Sequence, residues 1–481
     1  MANTFFNRTS GTSTNAKKFT LSVWVKRSVV SNDPNLIYYS GTGGTANGEV
    51  SIQADDSFQL YERNASSTTW NLKTNRKLRD CSSYYHIHVK ADSTQATDSD
   101  RVKLWINGDL QNSFTTETYP AQDWDFEINS SSVSRNIGKY VDAATYYFEG
   151  YMAQFIFTDG YAYDASTFGQ FDTVTGEWSP KGDSAIRSAV TFGNNGYLLP
   201  FSDTSNLGYD YQTSDRSTTN DWTKSGDGYG LTDNPSNNFC TMDYNQKSPH
   251  CTMDSAGLVC TGNADSAYGN SFSTYVIKKG KWYVECKVMP EHATLPRIGL
   301  MDISVTDGTK SAGTCKNTTN YTPWVQSTGA TFSIGTNYAY NSVYTNDSGT
   351  AFPSTNLQES KSTGAIIRFA IDMDNGAWYI GKDGGTWWSS GGTSGDPTSG
   401  ASKTGAAFTW TPSDLPRGFA LCDTNYYTPV HTWTYWNFGQ GKFDGTAVSS
   451  ANADANGYGV FEDTVPTGYY AICSKNIKEF G

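Results

Sequence analysis

The chain has little of what makes a sequence helical, metal-bound or membrane-spanning. No long stretch keeps apolar residues at helical spacing. Charged residues make up only 17% of its 481 residues. No apolar run is long enough to cross a bilayer. The opening MANTFFNRTSGTS lacks the apolar core of a secretory leader. Positive charge is in short supply: the formal net charge is −12, so generic nucleic-acid binding is not expected. The acidity is spread along the chain, as a solubilising surface would be. Eight cysteines (Cys81, Cys240, Cys251, Cys260, Cys286, Cys315, Cys422 and Cys473) form no CxxC pair and no tight spacing with histidine, which argues against zinc. They are too sparse for a disulfide scaffold. Cys240, Cys251 and Cys260 could meet across strands, but with no sign of an oxidising compartment they are expected as buried free thiols.

What is present is Tyr, Trp, Phe, Thr, Ser, Asn and Gly, the composition of short strands joined by turn-rich loops. The length suits two all-β domains of roughly 200 residues each. The clearest local signal is RFAIDMDNGAWYIGKDGGTWW (368–388). Phe369, Ile371 and Met373 alternate with Asp372 and Asp374. Asn375-Gly376 suits a two-residue type I′ turn. That turn would place Met373 opposite Trp378, Ile371 opposite Ile380 and Asp372 opposite Tyr379. In the first half, FTLSVWVKRS (19–28) puts Leu21, Val23 and Val25 on one face. YYHIHVKAD (84–92) sets Tyr85, Ile87 and Val89 against His86 and His88. RVKLWINGDL (101–110) aligns Val102, Leu104 and Ile106 before an Asn107-Gly108 turn. FEGYMAQFIFTDGYAYD (148–164) supplies another strand.

In that order these segments resemble the concanavalin A-like, laminin-G type lectin domain. The resemblance is nearer to the version found in tailed bacteriophages, mostly marine ones, where the domain continues as in FGQFDTVTGEWSPK (168–181) and GNNGYLLPFSDTSNLGYD (193–210). The second half resembles the SPRY family through KKGKWYVECKV (278–288), the 368–384 hairpin, WNFGQGKFDG (436–445) and the ending VPTGYYAICSKNI (465–477). The resemblances imply two antiparallel, jelly-roll-like β-sandwiches in tandem. Residues 1–204 would form the lectin-like domain and 237–481 the SPRY-like domain. Residues 205–236, rich in Ser, Thr, Asn and Gly, read as a connector in which Trp222 and Leu231 hint at some packing.

Folds of this kind also host glucanases, which need two carboxylates flanking the scissile bond, about 5–5.5 Å apart for retention. The best candidate is DWDFE, which as a strand would put Asp123, Asp125 and Glu127 on one face. The glucanase motif starts and ends with Glu around an Asp at a different spacing, so an edge strand with a solvated acidic side is the plainer account. His86 and His88 could suit a metal, but no third ligand lies nearby, and a half-exposed strand face is expected. No GxSxG elbow precedes a helix. The glycines of GTGG (41–44) and SGGTSG (390–395) serve turns. Sequons such as Asn7-Arg8-Thr9 and Asn317-Thr318-Thr319 are expected by chance in this composition. No cofactor is expected. Calcium stays an unassigned option, because many lectin-like sandwiches hold it with loop carboxylates and no loop here has recognisable ligand spacing.

Exposed loop aromatics are the usual tools for sugar faces. The candidates are Trp387 and Trp388, Tyr426 and Tyr427, and Tyr338, Tyr340 and Tyr344; for any one of them core packing or a subunit contact is the plainer account. The resemblance therefore implies a non-enzymatic phage structural protein of the tail or fibre apparatus, found in the virion. It would bind host-surface glycan, or a neighbouring virion protein, through its sandwich loops. A capsid decoration or head-fibre protein is the alternative, and a depolymerising glycosidase a distant third. With no collagen-like repeat, heptad run or separate anchor in view, docking would use sandwich surfaces or the tail CSKNIKEFG (473–481), in a homo-oligomer.

Overall fold

The computed structural model describes residues 3–32, 34–43, 46–64, 67–140, 146–173, 175–213, 220–262, 268–290, 297–302, 323–328, 331–336, 365–387, 394–415, 417–426 and 432–481. The chain folds as two compact units, Met1–Gly230 and Leu231–Gly481.

In the first unit the strands are β1 (Phe5–Thr9), β2 (Lys18–Arg27), β3 (Asn35–Gly41), β4 (Ala46–Ile52), β5 (Ser57–Asn64), β6 (Ser67–Lys77), β7 (Tyr85–Asp92), β8 (Val102–Ile106), β9 (Asp109–Leu110), β10 (Phe114–Thr118), β11 (Ser134–Ile137), β12 (Gly150–Asp159), β13 (Gly169–Phe171), β14 (Trp178–Pro180), β15 (Tyr197–Leu199) and β16 (Thr223–Ser225). They make an eight-stranded sheet, β10-β6-β5-β4-β3-β11-β1-β16, and a six-stranded sheet, β15-β12-β2-β7-β8-β9. All pairings in both sheets are antiparallel. Period-2 alternation builds the core between them. Leu21, Val23 and Val25 of β2 and Ile87 and Val89 of β7 meet Tyr38, Val50, Leu60 and Leu72 of the other sheet. The Asn107-Gly108 turn has positive φ at both residues (52° and 79°) and pairs Ile106 with Asp109, as a type I′ turn requires.

Part of the stretch 205–236 packs, as Trp222 hinted. Trp222 is buried and packs edge-on to Tyr197 at 4.9 Å, and β16 pairs with β1, so the chain up to Gly230 belongs to the first unit. One buried tryptophan and three backbone pairs dock a segment whose composition alone reads as linker.

The second unit has β17 (Cys251–Asp254), β18 (Val259–Gly262), β19 (Tyr268–Ile277), β20 (Lys281–Pro290), β21 (Arg297–Asp302), β22 (Pro323–Thr328), β23 (Thr331–Thr336), β24 (Ala365–Asp372), β25 (Ala377–Lys382), β26 (Phe408–Thr409), β27 (Phe419–Tyr426) and β28 (Thr432–Asn437). One sheet runs β17-β18-β28-β20-β24-β25-β26, with Tyr470–Ala471 added parallel to β20; the other runs β19-β27-β21-β22-β23. Trp282, Phe369, Trp378, Trp436 and Leu421 fill the core.

The 368–388 hairpin forms with a register two residues from the expected one. Ile371 faces Trp378, Phe369 faces Ile380 and Asp372 faces Ala377. The loop is four residues long because Asp372 organises it. Its two carboxylate oxygens accept the backbone N–H and the side-chain amide of Asn375, at 2.9 and 2.8 Å. Its carbonyl accepts the N–H of Gly376 at 2.9 Å. Only Gly376 takes a positive φ, 76°. A slip of two keeps parity, so the faces stay as expected. The tail is not free: Ser474–Phe480 is a short helix, and Phe480 stacks on Tyr470 at 3.9 Å. The seven described cysteines are buried and unbridged. No described helix is long and apolar enough to cross a membrane.

Candidate functional site

Alternation along β3 to β6 turns one set of residues inward and the next outward. Tyr38, Val50, Leu60 and Leu72 enter the core. Their neighbours Tyr39, Glu49, Tyr61 and Asn71 lie on the opposite face and pair directly across the strands. Asn47 pairs with Arg63 two residues along the same face. Tyr39, Asn47 and Glu49 are buried, while Tyr61 and Arg63 are half-buried. The Tyr140 ring packs edge-on to Tyr39 at 5.0 Å.

The polar groups of this row form one network. Asn47 Nδ2 donates to Glu49 Oε1 at 3.2 Å, and the Asn47 Oδ1 has no partner. The Tyr39 hydroxyl accepts the N–H of Gly43 at 3.2 Å. Burial pushes the Glu49 carboxyl above the usual range, against hydrogen bonds from Tyr61 and Asn47 and the charge of Arg63. Burial, and then the charge of Glu49, raises the Tyr61 hydroxyl; burial pushes Tyr39 up to about 12. The row offers aromatic faces, carboxyl and amide acceptors and a guanidinium donor side by side. That combination suits a polyhydroxylated ligand with C–H faces. It contains one carboxyl. Glu62, next to Tyr61, points to the other side, where it accepts the indole N–H groups of Trp70 and Trp124, both at 2.8 Å, and the N–H of Ile128 at 2.9 Å. Burial pushes it up to about 7.

The expected acidic strand does not exist. Residues 123–126 are irregular, with Asp123 at φ 61°, and Glu127 opens a 3₁₀ turn. Asp123 pairs with Lys17 at 3.1 Å, and Glu127 accepts the Ser130 hydroxyl. The three carboxylates therefore share no strand face. The left-handed turn at Asp123 breaks the extended chain that alternation presumed.

His86 and His88 are wholly buried, not half-exposed. Trp178 Nε1, which can only donate, gives its proton to His86 Nδ1 at 2.9 Å. The proton of a neutral His86 is then on Nε2, which faces Ser22 Oγ at 2.8 Å. His88 Nε2 donates to the Tyr163 carbonyl at 2.9 Å. Trp24 stacks on His86 at 4.7 Å, and Phe168 lies 5.2 Å from His88. Burial holds the His86 pKa well below the usual value and pushes His88 down to about 4. No group of three His, Cys, Asp or Glu side chains suited to a metal occurs among the described residues.

Of the expected aromatics, Trp387 is half-buried. One ring face lies 4.5 Å from the Arg368 guanidinium, and Tyr283 packs edge-on at 6.4 Å. It packs against a small second core around Tyr283, Tyr379 and Phe461. Tyr426 ends β27, paired with Tyr268, and is described in backbone only. Trp388, Tyr427, Tyr338, Tyr340 and Tyr344 lie outside the described residues. The outer-face row is not among the expected residues, which were sought in loops. Its signal is the polar set Gln59, Tyr61 and Arg63 alternating with Phe58, Leu60 and Glu62 in SFQLYERN.

No curated protein matches the chain. Among solved structures it is similar to the SPRY domain of human HERC1, at 12% identity over 40% of this chain and 96% of that one, with a TM-score of 0.26. It is similar to the native heptameric SAP-like pentraxin from Limulus polyphemus, at 15% identity over 32% and 69%, with a TM-score of 0.24. A third is the Ruminococcus gnavus IT-sialidase CBM40 bound to alpha2,3 sialyllactose, at 16% identity over 30% and 82%, with a TM-score of 0.23. Residues 4–160, which include both the outer-face row and the buried histidines, match the family model described as the Concanavalin A-like lectin/glucanases superfamily.

Proposed function

We propose that this chain is a non-catalytic, glycan-binding structural protein of a bacteriophage particle, placed in the tail or fibre apparatus. The observation that carries the binding role is the Tyr39–Glu49–Tyr61 row, with Asn47 and Arg63 beside it, on a lectin-like sandwich. The particle setting draws on the resemblance of residues 168–181 and 193–210 to phage relatives. A single carboxyl in the row favours binding over hydrolysis, which needs a pair. Phe171 and Leu110, 54% and 49% exposed, offer apolar surface for attachment to a neighbouring particle protein or a second copy.

The test is binding of the labelled intact chain to host cells, with competition against phage adsorption. Saturable binding that blocks adsorption is expected. Tyr61→Phe and Glu49→Gln should each weaken it by roughly 10-fold, about 1.4 kcal/mol. No binding at micromolar protein, with the chain still present in purified particles, would transfer the role to capsid decoration. Release of reducing ends from host glycan, lost on Asp125→Asn or Glu127→Gln, would restore the glycosidase reading.

A further inference from the structure

The inner face of the first unit's eight-stranded sheet contains an arrangement that glycan binding does not use. Arg8 of β1 and Arg135 of β11 are directly opposite each other across the strands, so their side chains share one face. Arg135 is 1% exposed. Like charges in that position repel, and a buried charge without a counter-charge is costly. Neither arginine makes a salt bridge with a described carboxylate. Arg8 donates to Asn220 Oδ1 at 2.7 Å and to its carbonyl at 3.5 Å. Arg135 Nη2 reaches Asn129 Oδ1 at 3.3 Å and the Ser130 carbonyl at 3.2 Å. Its guanidinium lies 5.1 Å from the Phe157 ring.

Two tyrosines complete the neighbourhood. Tyr38 and Tyr197 are fully buried, flank Phe157 at 5.9 and 5.8 Å, and have hydroxyls with no formed hydrogen bond; Arg135 Nε also has none. Burial raises both hydroxyls; the charges of Arg135 and Arg8 draw them down, and the two hydroxyls act on each other, raising Tyr197 and lowering Tyr38. Trp222, whose indole N–H is unpartnered, packs edge-on to Tyr197. Two acidic groups lie nearby, and the charge of Asp210 acts on Arg8. Asp210 Oδ1 accepts the N–H groups of Leu198 and Gln212, both at 2.9 Å, and burial pushes Asp210 up to about 7. Asp159 is one amide further away, holding Asn129, Thr14 and Asn195.

We propose that the first unit holds a small inorganic anion, a halide, between Arg8 and Arg135, with the Tyr38 and Tyr197 hydroxyls and Arg135 Nε donating to it. Donors and positive charge converge there without a salt-bridged carboxylate, and an anion supplies the counter-charge. The surrounding burial restricts it to a small ion. Arg8, which is only half-buried, marks the side by which it enters.

Two measurements on the intact chain decide this. Hydrogen exchange of Ser134–Ile137 is followed at constant ionic strength while methanesulfonate is replaced by chloride or bromide. Saturable added protection is expected. In the Tyr38→Phe, Tyr197→Phe double variant the half-saturating halide concentration should rise at least tenfold. Crystals grown in bromide should show an anomalous peak beside Arg135 Nε. Equal protection in halide and methanesulfonate, or water without an anomalous peak at that place, would overturn the assignment. If the double variant fails to fold, the bromide peak in the wild-type chain decides alone.

Discussion

On the six-stranded sheet of the first unit, the outer face is roofed by residues 161–190. Trp178 and Phe168 cover His86 and His88, and the Trp178 ring fits against Gly108 and Gly169. On the eight-stranded sheet, the outer face keeps Tyr61 and Arg63 half-exposed around Glu49. Both faces alternate polar and aromatic residues in sequence. One has been converted into a second buried layer, in which His86 pairs with Trp178 and Ser22 and His88 with the Tyr163 carbonyl. The other keeps acceptors and ring faces within reach of solvent. The presence of polar residues on a strand therefore does not mark a site; what lies over them does.

The largest test of this contrast is acid. Unfolded histidines take up protons near pH 6.5, whereas folded His88 resists until about 4 and His86 is also held well down. Between those values the unfolded state binds more protons, so stability falls as the pH drops. The slope is about 1.4 kcal/mol per pH unit for each histidine, or about 3 kcal/mol from His88 alone by pH 4. Glu49 has the opposite sign: its raised pKa removes stability as the pH rises above the ordinary carboxyl range. The buried carboxyls Glu62, Asp210, Glu285 and Asp423, each pushed up to about 7, also add stability on acidification. The test is therefore the difference between two chains: in denaturant unfolding from pH 7 to 4, His88→Gln should lose less stability, or gain more, than the wild type. An unchanged slope in the variant would mean that the roof is open in solution.

The next test attacks the fit of the roof. A Cβ at Gly108 would sit 2.4 Å from the Trp178 ring, at a φ of +79°. Gly108→Ala should cost about 2–4 kcal/mol, combining left-handed strain with overpacking. A Cβ at Gly169 meets the same indole at 2.5 Å. Gly169→Ala, lacking positive φ, should cost about 1–3 kcal/mol. If Trp178→Ala added to either variant recovers part of the loss, the steric origin is established.

Much of the fold was legible. The core of β2, β7 and β8 follows parity, and the chain turns at Asn107-Gly108 as expected. The failures share one cause, which is that side chains outside the pattern decide. Asn375-Gly376 carries the same dipeptide, yet Asp372 captures Asn375 and lengthens the loop. The histidines are buried by a tryptophan 92 residues away in sequence, a contact no local period encodes. Trp222, by contrast, packs as its presence in a linker-like stretch hinted. The outer-face row is written in the strands, but alternation says only that a face is polar and not whether it stays open.

The smallest expected effect is the sharpest for the open face. Tyr61→Phe keeps the ring and removes the hydroxyl that hydrogen-bonds Glu49. Because Tyr61 is half-exposed, water can replace part of that bond, and stability should fall by only about 0.5–1 kcal/mol. Glycan affinity should nevertheless fall by roughly tenfold, because the hydroxyl also orients the one carboxyl of the row. Trp24→Phe on the roofed sheet gives the reverse pattern. It removes indole packing against His86 and should cost stability while leaving glycan affinity unchanged. Equal affinity losses in both variants would show that ligand binding reports only the integrity of the sandwich. Loss confined to Tyr61→Phe ties it to the outer face of β4 and β5.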